Sequence, residues 1–220
     1  ARAALCYGAG KVRGGFVAPF PALDPLYPEL MLARAEAVLA APDVSVLAVG
    51  PGLGCSTEAG ELLARALACR LPLVLDANAL NLLAQDPALA EACRQRGLPT
   101  ILTPHPGEAA RLLTTGTASI QADRPEAVRQ LARNWQAVVV LKGCGTLVAG
   151  PDGFFTINPT GHPGLAQAGQ GDTLTGMIAA LLAQGLDAAA AARLAVWLHG
   201  RHAGAIDPAI LGRTPHQAAD

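Results

Sequence analysis

Short apolar runs alternate with amphipathic stretches along most of this chain. Residues 44–49 form a β-branched run that enters Gly50-Pro51-Gly52-Leu53-Gly54, which predicts a strand followed by a tight turn. Ser56 or Thr57 then caps a helix with apolar positions at Leu62, Leu63, Ala66 and Leu67. Further strands are predicted at residues 71–75, 100–102 and 137–141. They end on Asp76, on Thr103-Pro104-His105-Pro106-Gly107-Glu108, and on Lys142-Gly143 respectively. Asp86-Pro87 opens a helix running to about residue 96, and another helix spans residues 125–135. Residues 147–149 and 154–157, joined by Gly150-Pro151-Asp152-Gly153, read as a β-hairpin. Two alanine-rich helices follow at residues 172–184 and 187–203. At the front, residues 1–7 read as a helix and residues 11–17 as a strand.

Alternation of this kind predicts an α/β fold: a mostly parallel central sheet covered by helices on both faces. No linker, charge block or internal repeat divides the chain, so residues 1–220 read as a single domain. Composition narrows the picture. The chain is 51% hydrophobic and 15% charged with a net charge of −1, which excludes a disordered segment and a basic nucleic-acid binder. No apolar stretch reaches the ~20 residues that a membrane span needs. The five cysteines are scattered and odd in number, with no CxxC pair. They read as buried small thiols in a reducing cytosol, so a cytoplasmic domain with no nucleic-acid or membrane partner is expected.

In open sheets of this type ligands bind beyond the carboxyl ends of the strands. The glycine- and proline-rich loops fall at those ends, and the most informative runs from Gly161-His162-Pro163-Gly164 to Gly169-Gln170-Gly171-Asp172. A glycine-rich approach into a helix offers free backbone N–H groups and the positive end of the helix dipole, here at Gly169, Gln170 and Gly171. Asp172 beside such an anion hole is a base able to take a proton from a hydroxyl as that hydroxyl attacks phosphorus. Asp172 as a plain capping residue is the competing reading. No Walker-type GxxxxGK[ST] is present, which excludes a P-loop NTPase. Other candidates carry similar alternatives: Gly52 and Gly54 suit a tight turn, Lys142 a solvated strand end, and Glu108 a helix dipole.

Four segments together resemble one family. They are Leu75-Asp76-Ala77-Asn78-Ala79-Leu80-Asn81, Thr103-Pro104-His105-Pro106-Gly107-Glu108-Ala109, Leu141-Lys142-Gly143-Cys144-Gly145-Thr146 and the Gly171-Asp172 loop. Their order and spacing are similar to those of the ADP/ATP-dependent NAD(P)H-hydrate dehydratases, enzymes of the ribokinase-like three-layer α/β/α fold. The resemblance implies nucleotide-dependent dehydration of the S epimer of NADHX or NADPHX. It implies Asp172 as the base that also touches substrate, and Gly52, Gly54 and His105 at the hydrate. It places Lys142, Gly143, Cys144, Gly145, Thr146 and Gly171 at the ADP or ATP. Glu108 matches the glutamate that orients Mg²⁺-bound phosphates in related vitamin kinases, and is expected to act through water. An NAD(P)HX epimerase, fused or separate, and a homo-oligomer are the partners implied.

The departures are Asn78, where many relatives carry aspartate, His162 in place of asparagine, and Gln167 and Gln170 in place of small residues or methionine. Relatives also begin with a strand and a glycine-rich loop ahead of the helix at residues 1–7. The chain is therefore expected to be N-terminally incomplete relative to the family, leaving the strand at residues 11–17 without its usual neighbour. Two other functions stay open on the residues alone: a ribokinase-like kinase of a small vitamin precursor, and an inactive nucleotide-binding fragment.

Overall fold

Three-residue runs of buried aliphatics, too short for alternation to show, make the centre of the sheet. A computed structural model describes residues 1–203. The elements are α1 (Arg2–Cys6), β1 (Arg13–Phe16), β2 (Met31–Arg34), α2 (Ala35–Leu39), β3 (Leu47–Val49), α3 (Thr57–Ala68) and β4 (Leu73–Leu75). There follow α4 (Asn78–Gln85), α5 (Pro87–Arg94), β5 (Thr100–Leu102), α6 (Pro106–Leu112), α7 (Thr117–Ala122), α8 (Arg124–Trp135) and β6 (Val138–Leu141). The chain continues through β7 (Leu147–Ala149), β8 (Phe155–Ile157), a 3₁₀ turn (Pro163–Leu165), α9 (Gln170–Ala183) and α10 (Ala188–Ala203).

Strands β3 to β8 lie in sequence order in one six-stranded sheet. β3 to β6 are parallel, and the β7–β8 hairpin joins β6 antiparallel. Successive side chains point to opposite faces. Leu73, Leu75, Leu102, Val139 and Leu141 therefore pack with the helices from α3 to α8. Val74, Ile101, Val138 and Val140 pack with α9 and α10. The result is the expected three-layer arrangement with a mostly parallel sheet.

Local signals that involve a side-chain cap or a turn glycine are realised as expected. Ser56 accepts a hydrogen bond from the Ala59 amide, and Asp86 accepts from Ala88 and Leu89 with Pro87 at the first helical position. The hairpin closes through Gly153 at φ +83°. Gly176 lets α1 lie against α9, since a Cβ there would stand 3.0 Å from that of Ala3.

Several expectations are corrected. The strands predicted at residues 44–49 and 71–75 shrink to Leu47–Val49 and Leu73–Leu75. The strand at residues 11–17 pairs in parallel with β2, Arg13 to Met31 through Phe16 to Arg34, in a separate two-stranded sheet. β2 carries no β-branched residue, so it gave no strand signal. Helices α4 and α7 start without any side-chain cap; Ala77, ahead of α4, has a φ of +48°, and Thr114, just past the end of α6, one of +53°. Of the cysteines only Cys93 is buried, with its thiol pushed up to about 11 by desolvation. Cys6, Cys55 and Cys144 are exposed. Among the described residues no helix is long and apolar enough to cross a membrane.

Candidate active site

The parallel strands deliver their terminal polar residues to one rim, and Asp76 is its hub. It follows the buried Leu73-Val74-Leu75 run and is itself 1% exposed. A carboxylate taken out of water must be paired and hydrogen-bonded. Its Oδ1 accepts from Lys142 Nζ at 2.8 Å and from the Ala77 amide at 2.9 Å. Its Oδ2 accepts from the Thr175 hydroxyl at 2.7 Å. Burial pushes the Asp76 carboxyl up, but the Lys142 ammonium and these hydrogen bonds outweigh it and hold the group below its ordinary value. Lys142 Nζ also lies 3.8 Å from Glu108 Oε2, so one ammonium sits between two carboxylates. The reading of Lys142 as a solvated strand end is thereby corrected: its charge is engaged and its side chain 19% exposed. Ala77 is held at φ +48°, ψ −118°, a backbone state that costs roughly 1–3 kcal/mol and that the Asp76 network over-determines.

Above this pair stands the start of α9. Gly169 takes the left-handed φ of +85° at the N-cap, and α9 opens at Gln170. A Cβ on Gly171 would meet Lys142 Nζ at 3.3 Å and Asp76 Oδ2 at 3.8 Å, so the helix N-terminus rests on the ion pair through a glycine. Asp172 is exposed one residue further on. Thr175, one turn below it, ties α9 to the end of β4 through Asp76. A cleft of about 460 Å³ opens beside Asp172 and Thr173, with Gly14, Phe16, Leu30 and Leu32 on its other side. That volume falls in the range of small-molecule sites.

Gly52 and Gly54 adopt φ of +69° and +76°, yet a Cβ on either would touch nothing within 4 Å. Their glycine character belongs to the turn. Gly50 is different: a Cβ there would stand 1.7 Å from the Asp76 carbonyl oxygen, so only glycine lets the end of β3 meet the end of β4.

His105 is the N-cap of α6. Its Nδ1 accepts from the Gly107 and Glu108 amides at 3.0 and 3.4 Å, while Glu108 Oε2 accepts from the His105 amide at 2.8 Å. An imidazole Nδ1 that accepts leaves the proton on Nε2. Desolvation lowers the His105 pKa, with Lys142 and Arg111 adding to the effect against Glu108. His162 repeats the device in the second His-Pro-Gly segment, its Nδ1 accepting from the Gly164 amide at 3.0 Å. A side-chain carbonyl of asparagine can accept in the same way. Glu108 fits a water-mediated role at a cation: its side chain is 6% exposed, and the nearest donor to Oε1 is His105 Nε2 at 3.5 Å, which leaves lone pairs free for a water.

The loop after β6 carries Gly143 at φ +135°, an exposed Cys144, and Gly145 at φ +62°, and the Thr146 hydroxyl donates to the Gly143 carbonyl at 2.9 Å. The structure thus gathers Lys142, Glu108, His105, Gly171 and Asp172 at one rim. Sequence reasoning gives no role to Asp76, Thr175 or Arg124, and takes Gly50 only as part of the Gly50 to Gly54 loop expected at the hydrate. Asp76 alone had a readable signal, a carboxylate directly ending an apolar strand. The arrangement presents an exposed carboxylate, a helix N-terminus and unengaged loop amides over a fixed charge cluster, a constellation suited to phosphoryl transfer onto a hydroxyl.

Comparisons with known proteins show the family and the fold. A family model described as NAD(P)H-hydrate dehydratase matches residues 1–218. The ADP-dependent (S)-NAD(P)H-hydrate dehydratase of Neisseria meningitidis is 45% identical over 214 residues, covering 94% of this chain and 71% of that protein. The bifunctional NAD(P)H-hydrate repair enzyme Nnr of Moorella thermoacetica is 48% identical over 180 residues, covering 81% of this chain. The ADP/ATP-dependent NAD(P)H-hydrate dehydratase of Bacillus subtilis, co-crystallised with ATP/Mg²⁺ and soaked with CoA, superposes with a TM-score of 0.78 at 33% identity. That match covers 97% of this chain and 77% of the other. The chain spans only 31% of the Moorella protein's length.

Proposed function

The chain belongs to the NAD(P)H-hydrate dehydratase family, and from that premise we propose that it carries the nucleotide-dependent dehydration of the S epimer of NADHX or NADPHX. The observation that carries the reading is Asp172, an exposed carboxylate in the first turn of a helix that stands through Gly171 on the Lys142–Asp76 pair. Asp172 takes the proton of the ring hydroxyl while the hydroxyl oxygen attacks the terminal phosphorus of ADP or ATP, releasing AMP or ADP. The amides at Gly169, Gln170 and Gly171 hold the transferring phosphoryl group. Phosphate is a far better leaving group than hydroxide. The ring nitrogen's lone pair expels it as the C–O bond breaks, and loss of the neighbouring ring proton restores the double bond.

Gly52, Gly54 and His105 meet the hydrate, with the His105 Nε2–H as a donor. Gly143, Cys144, Gly145, Thr146 and Gly171 meet the nucleotide. Lys142 supplies a positive field from below, its ammonium being held by Asp76. Mg²⁺, when present, would supply charge neutralisation for the phosphoryl transfer, and Glu108 is the residue that would hold it through water. An epimerase, fused or separate, supplies the S form from its epimer, and the enzyme works in the cytoplasm, where the reduced cofactors are repaired. Self-association into a homo-oligomer is part of the same reading.

The test supplies the protein with NADHX, Mg²⁺ and either ADP or ATP. Recovery of absorbance at 340 nm with one orthophosphate released per NADH formed is the expected result. A phosphorylated hydrate that accumulates without recovery would make the protein a kinase instead.

A further inference from the structure

Arg124 is the first residue of α8, where a cation opposes the helix dipole and so gains nothing from the helix itself. Helix α8 runs back along the strand that follows it, which brings Arg124 beside the end of β6. There its guanidinium donates to the carbonyl of Leu141 at 3.2 Å, to that of Lys142 at 3.4 Å from both terminal nitrogens, and to that of Gly145 at 3.5 Å. It also donates to Gln121 Oε1 at 3.1 Å. Gly143 passes flat against the guanidinium, since a Cβ there would lie 3.0 Å from Nη1.

A trans peptide points its N–H opposite to its carbonyl. Drawing the Lys142 and Gly145 carbonyls toward Arg124 therefore turns the Gly143 and Thr146 amides away from it. Among the described residues the amides of Gly143, Cys144, Gly145 and Thr146 donate to no backbone or side-chain acceptor. Successive free N–H groups of this kind form a nest for an anion. Hydrogen bonding at the carbonyl also polarises a peptide and strengthens its N–H as a donor.

We propose that Arg124 is the positioning residue of the nucleotide loop: it fixes the carbonyls of Leu141, Lys142 and Gly145 inward and so presents the loop amides to the phosphates of ADP or ATP without touching them. This rests on the nucleotide-dependent reading above. A planar fork suits the several acceptors, which a single ammonium cannot satisfy together.

The test is calorimetric titration of the full chain with ADP and Mg²⁺, no hydrate present, alongside amide exchange, thermal unfolding and KM for the hydrate. Arg124→Met keeps the apolar stem and is expected to weaken ADP about tenfold or more. It should abolish ADP protection of the Gly143 to Thr146 amides, and leave hydrate KM within about twofold of the parent. Arg124→Lys should recover part of the affinity. Unchanged ADP affinity in Arg124→Met overturns the proposal. So does a loss that tracks an equal loss of hydrate affinity and of thermal midpoint, which would mark a merely structural residue. A parent protein that binds ADP without protecting those amides places the nest elsewhere and also overturns it. A parent that binds neither ADP nor ATP removes the nucleotide-dependent reading itself, and this inference with it.

Discussion

Asp76 and Glu108 lie buried and Lys142 partly buried at the strand ends, each engaged by the others or by backbone amides, whereas Asp172, Gly52 and Gly54 stand exposed on the loops above. The lower region is built from side chains whose charges are fixed in place, and the upper one from backbone groups and a single open carboxylate. Gly171 is where the two meet. Burial makes a charge expensive to move, so the lower region is suited to holding a field. Exposure leaves a proton free to exchange, so the upper region is suited to chemistry. The two regions should therefore fail differently when altered.

The largest effect belongs to the upper region. Asp172→Asn should lower kcat by roughly 10²–10⁴-fold while nucleotide binding and unfolding midpoint stay close to the parent. A variant with near-normal kcat would remove Asp172 from the mechanism. A variant that lost stability instead would show that Asp172 belongs with the buried charges.

The lower region should fail in stability. Asp76→Ala leaves the Lys142 ammonium with only the more distant Glu108, and removes the acceptor that ties Thr175 to β4. Breaking a buried pair in this way is expected to cost about 3–5 kcal/mol in urea unfolding. A loss below about 0.5 kcal/mol, the size of an ordinary surface change, would mean that the pair holds nothing together.

The same division sets what could be read from the chain. The layers, the parallel centre and the β7–β8 hairpin were legible because each depends on local signals: apolar runs, Ser56 and Asp86 caps, the turn at Gly150 to Gly153. The loops of the upper region were legible for the same reason, since glycine and proline announce themselves. The lower region was not. The Asp76–Lys142 contact joins residues 66 apart and the Asp76–Thr175 contact residues 99 apart. Nothing local distinguishes Thr175 from any helical threonine, or Arg124 from a solvated helix arginine. Glu108 hinted at a helix start, but the cap of α6 was not legible because it is an imidazole, outside the usual set of capping residues. Gly50 looked like its neighbours Gly52 and Gly54, although only Gly50 presses on another strand.

The smallest effect separates the regions by acid. Asp76 is held below its ordinary value in the folded protein, by Lys142 and Thr175 against burial. It therefore contributes stability that is present above the unfolded value near 3.9 and lost as pH falls toward the folded one. His105, on the rim, is held below its ordinary value chiefly by desolvation, so the folded state prefers the neutral ring that caps α6. Its contribution is complete above about pH 6.5 and is lost as pH falls from there toward the folded value. Each window has a slope of at most about 1.4 kcal/mol per pH unit for the one proton involved. His199 is also lowered by burial, and Asp24 and Asp43 by arginine partners, so the readout must be a difference between variants. Asp76→Asn should flatten stability against pH below about 4 and leave the upper window intact. His105→Asn keeps a capping acceptor while removing the titration, and should flatten only the window below about 6.5. If Asp76→Asn left the slope below pH 4 unchanged, Lys142 would not be holding that carboxylate charged, and the contrast between a fixed floor and an open rim would fail at its centre.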